Sequence, residues 1–246
     1  MSETTTLGGS NPPDPDPGSN SDPIHDIHQN DTRPPMHLPR DEFAGLKPTL
    51  PQQDLNSEAA LSLAPRVTFQ GRTTPALGGI PLFSKLGQGG MGAVYYGIHP
   101  RLRVDVAVKV LIFGNPARQA QTAKRFVREA RISARIRSPH LVGVIDVNEE
   151  QGLLYIVMDY VRGGSLGQHL QLLEAAGERM TESDALDVCI AACTGLQEAH
   201  AAGIIHRDLK PDNILLPRSK TSDAPNFSAA KSPISAWRGA TIPAPD

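Results

Sequence analysis

The stretch "LGQGGMGAVYYG", Leu86 to Gly97, and the "VDVAVKV" that follows it from Val104 to Val110 decide how the rest of the chain is read. Gly87, Gly89 and Gly92 stand at the spacing G-x-G-x-x-G, with Val94 two residues on. A dinucleotide-binding fingerprint shares that spacing, but it leads from a strand straight into a helix. Here "AVYYGI" is β-branched and aromatic, so the glycines join two strands. A Gly-rich hairpin suits a flap whose backbone amides close over phosphates, because no Cβ blocks the approach. In "VAVKV" a strand sets Val106 and Val108 on one side and Ala107 and Lys109 on the other. A lysine pointing inward from a strand needs an anionic partner. Glu129, in "RFVREARI", is the candidate, although a helix carboxylate taken alone is more often simply solvated.

Working outward, an amphipathic helix is expected over "ARQAQTAKRFVREARISARI". Two strands, "LVGVIDVNEE" and "LLYIVMDYV", then follow, joined by a turn at Gln151–Gly152. After "RGGSL" the chain turns helical. In "TESDALDVCIAACTGLQEAHAAG", Leu186, Cys189, Ile190, Cys193 and Leu196 share a face. Thr181 can cap its start, with Asp184 three residues on, and Gly203 sits where a C-cap belongs. Beyond lies "HRDLKPDN", with His206, Arg207, Asp208, Lys210 and Asn213. An Asp followed five residues later by an Asn can put one group on an acceptor hydroxyl and the other on a metal. Lys210 can neutralise charge on a moving phosphoryl group.

With the three motifs in this order, the chain from about Leu82 to Leu216 resembles the eukaryotic-type (Hanks-type) serine/threonine protein kinases, closest to their bacterial branch. The resemblance implies an α+β, bilobal kinase-like fold, with a complete β-rich N-lobe and hinge over 80–162. Only the start of the helical C-lobe would follow, over 163–216. It implies ATP and Mg2+ as cofactors and a protein Ser/Thr hydroxyl as acceptor. Leu86, Gly87, Gly89, Gly92, Val94 and Ala107 fall to the nucleotide, Lys109 to the α- and β-phosphates, and Glu129 to its helix partner. Met158 falls at the gatekeeper position, so Asp159 to Val161 form the hinge that meets adenine through its backbone. Asp208 takes the place of the catalytic base, Lys210 that of the lysine meeting the γ-phosphate, and Asn213 that of a magnesium ligand.

After "NILL" the resemblance implies an Asp-Phe-Gly-type metal motif, an activation segment and further helices. "PRSKTSDAPNFSAAK" reads as a polar insertion, and "SPISAWRGATIPAPD" matches none of the expected motifs. Written in codons and regrouped from the third base, "SPISAWRG" can read Ala-Asp-Leu-Gly-Leu-Ala-Arg, a variant of the expected motif. The expectation is therefore an irregular tail over 217–246, with 232–246 translated out of frame after a shift near Lys231. The alternative is a genuine short protein with an unusual tail. On either account the 246 residues are expected to transfer phosphate weakly or not at all. A nucleotide- or partner-binding pseudokinase or scaffold stands as a further alternative, as does a non-functional fragment.

The ends and the composition set the remaining bounds. Residues 1–79 open with "NPPDPDPGSNSDP" and carry few periodic apolar residues, so a disordered leader is expected. Ile24–His28 and Leu55–Leu63 promise transient helix at most. With 22 prolines and 4% aromatic residues, the chain has the composition of one that includes such stretches. A formal net charge of −2 argues against a nucleic-acid coat or a polybasic membrane binder. No run reaches the ~18 apolar residues of a membrane span, and the N-terminus lacks the pattern of a secretory signal. A soluble, cytoplasmic chain is expected, with Cys189 and Cys193 as buried small hydrophobes.

Overall fold

A computed structural model of the chain describes residues 47–89, 92–111, 116–219 and 221–234. Five strands come first: β1 (Arg66–Phe69), β2 (Arg72–Leu77), β3 (Ile80–Gly89), β4 (Gly92–His99) and β5 (Val104–Leu111). Helix α1 (Pro116–Ser133) follows, then β6 (Val144–Glu150) and β7 (Leu153–Asp159). These strands pair antiparallel in the order β1-β2-β3-β4-β5-β7-β6. The β6–β7 turn falls at the expected Gln151–Gly152, both at positive φ (50° and 77°), as a two-residue hairpin turn requires.

Directly paired residues share a face of the sheet. Val94 pairs with Lys109 and Tyr96 with Ala107, and across β7 Lys109 meets Ile156 and Ala107 meets Met158. The alternation read in "VAVKV" is therefore present. On the opposite face Tyr95, Val106, Val108, Val110, Tyr155 and Val157 form one buried cluster. Helix α1 packs Phe126 and Ala130 against Leu111, Leu154 and Ile156 on the lysine-bearing face.

The leader expectation needs correction over 47–79. Gln70 and Gly71, at φ 49° and 78°, close a hairpin between β1 and β2 that buries Phe69 and Leu77. Before it, Leu55, Ala60, Leu61 and Ala64 join the valine-rich cluster, with a single 3-10 turn over Ala59–Leu61. This order has a physical cause, since the segment supplies apolar side chains to a sheet face that would otherwise meet water. Residues 1–46 lie outside the described residues, Ile24–His28 included.

The second part opens with β8 (Gly163–Ser165) and α2 (Leu166–Ala175), then α3 (Glu182–Ala201) and β9 (Leu215–Pro217). Ser165 and Gln168 form a reciprocal capping box on α2. Thr181 caps α3 by accepting from Asp184 N at 3.1 Å, and Gly203 follows the helix at φ 75°, both as expected. The inward face of α3 is not the expected one. Val188, Ala191, Ala192, Gly195 and Ala199 are buried, while Leu186 and Ile190 are 62% and 64% exposed. Gly195 explains this: a Cβ there would stand 2.8 Å from the His140 carbonyl, so the small-residue stripe alone permits the close approach. Cys189 and Cys193 lie on the outward side and are exposed, which corrects the expectation that they are buried.

The irregular tail is packed against the rest of the chain as far as Ile234. Leu215 and Lys231 exchange backbone hydrogen bonds at 2.7 and 2.9 Å, and Ser232 bonds through its backbone to His140 and Val142. Ile234 is buried with Leu141, Ala199 and Ile204. Residues 235–246 lie outside the described residues. Among the described residues no helix is long and apolar enough to cross a membrane.

Candidate active site

The Gly-rich segment is a hairpin between β3 and β4, with Gly87 opposite Val94 and Gly89 opposite Gly92. Gly92 is at φ 149°, and a Cβ on it would fall 2.0 Å from the Val110 carbonyl, so glycine is obligatory there. A Cβ on Gly87 or Gly89 would meet nothing within 4 Å, which leaves room for a ligand beside the hairpin. Leu86 is 39% exposed at its base. Val94, Ala107 and Lys109 follow on one face of β4 and β5, and Met158 closes that row on β7. Asp159 is tied back to β6: its N–H donates to the Gly143 carbonyl at 2.9 Å and its carboxylate accepts from Gly143 N at 3.2 Å. Val161 is half-buried two residues on.

The chain between α3 and β9 supplies the other wall. Asn213, in a 3-10 turn (Pro211–Asn213), donates its amide to Asp208 twice, at 2.7 Å to the carbonyl and 2.9 Å to Oδ2. Lys210 Nζ stands 3.7 Å from the same Oδ2. The three residues singled out in "HRDLKPDN" are thus brought into one cluster. Such an oriented carboxylate can receive a hydroxyl proton, and the half-exposed ammonium can meet a phosphate.

Burial pushes the Lys109 ammonium down to about 8, against the opposing pull of Asp208. Burial likewise pushes Glu129 up to about 7, opposed first by Arg207 and then by Arg125 and Arg128. Lys109 and Glu129 are therefore addressed by consecutive residues of the 206–213 loop. Asp208 thus acts on Lys109, and Arg207, Arg125 and Arg128 act on Glu129. Arg207 adopts φ 59°, a left-handed conformation that a non-glycine residue holds only under tertiary constraint.

Sequence reading gave no site role to Arg207 or His206. His206 is 3% exposed, and its Nε2 lies 2.8 Å from the Pro233 carbonyl. A carbonyl only accepts, so Nε2 carries the proton. Burial lowers the His206 pKa, partly offset by that hydrogen bond and by Asp208. The signal for both residues was their adjacency to Asp208. As for ligands, the Gly87–Gly89 opening and the Lys109 ammonium fit a polyphosphate. A divalent cation fits less well, because among the described residues no three His, Cys, Asp or Glu side chains gather as metal ligands.

The protein kinase domain family matches residues 81–229, more than half of the chain. Among curated proteins, the chain is 37% identical over 159 residues to the probable serine/threonine-protein kinase pknA2 of Bifidobacterium longum. That match covers 63% of this chain and 20% of the relative. It is 39% identical over 150 residues to the serine/threonine-protein kinase PknB of Mycobacterium tuberculosis, covering 59% and 23%. The matched region thus spans about a fifth of these relatives' length. Among solved structures, the PknI kinase domain of Mycobacterium tuberculosis aligns with a TM-score of 0.54 and 30% identity, over 66% of this chain and 61% of that one. With the family model matched over residues 81–229, the chain belongs to the protein kinase family.

Proposed function

We propose that the chain carries the nucleotide-binding lobe and catalytic loop of a cytoplasmic serine/threonine protein kinase. Its substrates are ATP and a protein bearing a Ser or Thr hydroxyl. The observation that carries this reading is the Asp208–Lys210–Asn213 cluster, with Asp208 acting electrostatically on Lys109. Lys109 holds the α- and β-phosphates under the Gly87–Gly92 hairpin, and Leu86, Val94, Ala107 and Met158 enclose the adenine. The backbone of Asp159–Val161 fixes the adenine edge. Glu129 orients Lys109. Asp208 takes the acceptor hydroxyl's proton, and Lys210 meets the charge that builds on the γ-phosphoryl group.

Mg2+ would neutralise phosphate charge, with Asn213 supplying one neutral oxygen. Hard cations prefer carboxylate oxygens, so residues 1–246 alone make an incomplete site for it. We therefore infer that a polypeptide of residues 1–246 binds ATP but transfers phosphate at a rate about 10³-fold or more below that of a complete kinase domain. Binding without turnover, as in a pseudokinase, is the second reading, favoured by the exposed Leu186 and Ile190 on α3 as a surface for another polypeptide. The out-of-frame reading of 232–246 belongs to the same proposal. Coding DNA with no Asp-Leu-Gly in the neighbouring frame would remove it.

The test is ATP-induced thermal stabilisation together with phosphate transfer to a generic Ser/Thr substrate. ATP should stabilise the purified chain, and Lys109→Met should weaken that binding at least tenfold. Ordinary turnover by residues 1–246, unaffected by Asp208→Ala, would overturn the assignment.

A further inference from the structure

The segment ahead of β1 lies outside the matched residues 81–229, yet it is joined to the small lobe at both ends of its course. Its first anchor is polar. Thr49 N donates to the Tyr96 hydroxyl at 2.9 Å, and Thr49 Oγ1 donates to Asp105 Oδ2 at 2.8 Å. The Tyr96 hydroxyl donates to the other carboxylate oxygen, Oδ1, at 2.7 Å. Both oxygens of Asp105 are thus occupied by hydroxyls, one from the segment and one from β4. Its middle is held by β3: Gln53 N donates to the Phe83 carbonyl at 2.7 Å, Ser84 Oγ donates to the Pro51 carbonyl, and Lys85 N donates to Gln53 Oε1 at 3.0 Å. Lys85 Nζ also pairs with Glu58 at 3.0 Å. Its second anchor is apolar, through Leu55, Ala60, Leu61 and Ala64 in the sheet cluster.

The two anchors differ in kind. The apolar one has no titratable or transferable group, whereas the polar one combines the Thr49 hydroxyl with the Thr49 N–H. Thr49 is exposed and Tyr96 is fully buried, so only the threonine side of the anchor is open to chemistry. Tyr96 also carries the anchor inward. Its ring lies 5.0 Å from that of Tyr160, the residue after Asp159, and 6.0 Å from that of Phe83 on β3.

We propose that residues 47–64 act as a strap latched to the small lobe by the Thr49 hydroxyl, and that a phosphoryl group placed on that hydroxyl opens the latch. The inference does not rest on the cleft's own activity, because any ATP-using Ser/Thr kinase can supply the group. In that step the Oγ1–Pγ bond forms and the bond from Pγ to the β,γ-bridging oxygen of ATP breaks. ADP leaves, and the hydroxyl proton passes to the transferring enzyme's base. The product has lost the donor that Asp105 used and carries a charge of about −1.5 to −2 beside that carboxylate. Like charges at this distance repel, so the Thr49 end lifts while the Leu61 end stays buried. Tyr96 keeps its bond to Asp105, and as the Thr49 end lifts the Thr49 N–H is drawn away from the Tyr96 hydroxyl.

Hydrogen exchange of the full 246-residue chain tests this, with phosphothreonine installed at position 49 and with Thr49→Glu and Thr49→Ser. Phosphothreonine should speed exchange of the Thr49, Gln53 and Lys85 amides at least tenfold, with Leu61 and β7 unchanged. Thr49→Glu should do so to a smaller extent, and Thr49→Ser, which keeps the hydroxyl, should leave exchange as in the parent. Unchanged exchange in the phosphorylated chain would overturn the latch. So would slower exchange, which would mean that Arg101 or Arg103 of the β4–β5 turn captures the phosphate and tightens the strap. Uniform acceleration over all strands would show general destabilisation and would also overturn it.

Discussion

The two sides of the cleft are built to different standards of closure. In the small lobe Tyr95, Tyr96, Tyr155, Phe69 and Phe83 are all fully buried, and both faces of the sheet are covered, one by the strap and one by α1. In the helical part, α3 buries a stripe of Val, Ala and Gly and leaves Leu186 and Ile190 facing outward. Ile205 and Leu209, beside the catalytic loop, are about half exposed as well. The lobe that binds can therefore hold its shape from its own residues. The loop that would act rests on a helix with only one side packed.

Breaking the better-closed side should have the largest effect. Leu61→Ala removes the strap's fully buried anchor and should cost about 2–5 kcal/mol in chemical denaturation, as large-to-small core changes do. If the strap merely rests on the sheet, the loss would stay below 1 kcal/mol. Gly92→Ala comes next. The added Cβ meets the Val110 carbonyl from a φ that L-residues rarely adopt, so a loss of about 1–3 kcal/mol and weaker nucleotide binding are expected. Gly87→Ala, with open space around it, should spare stability and report on the ligand alone.

A pH titration should separate the two buried charges. Glu129 is raised from 4.5 to about 7 in the folded chain, so its contribution is present below pH 4.5 and is lost as pH rises through 7. Lys109 is lowered from 10.5 to about 8, so its contribution is present above pH 10.5 and is lost as pH falls through 8. Glu129→Gln should flatten the lower window only, and Lys109→Met the upper only. A single slope shared by both variants would mean the two groups titrate as a pair. The smallest effect is expected on the open side: Ile190→Ser should change stability by no more than about 0.5 kcal/mol while reducing self-association in sedimentation. A core-sized loss there would mean that α3's outward face is covered in solution.

The residues that announce the cleft were legible because each is chemically unusual for its position. A lysine inside an alternating valine strand and three glycines between strands are costly unless something uses them. The strap and the β1–β2 hairpin were harder to read. "RVTFQGRTTPAL" carries a turn at Gln70–Gly71, but the segment sits in a Pro-, Thr- and Ser-rich region whose average conceals two short strands. Its order comes from distant partners such as Tyr155 and Val157, which no local pattern encodes. On α3 the sequence offers two apolar stripes, and bulk favoured the wrong one. Only the approach of His140 to Gly195 selects the small-residue stripe.

The pairing of β8 with β9 has a consequence for chain connectivity. Gly163 to Ser165, just after Val161, zip against Leu215 to Pro217, just after Asn213, and a Cβ on Gly163 would overlap the Leu216 carbonyl. Everything between those strands is therefore a closed ring of chain fastened at its neck. A cut at the exposed Gly177, between α2 and α3, would open the ring without parting the halves. Such a nicked chain should still migrate as one particle under native conditions, with Val161 and Asp208 held in register by a clasp three residues long.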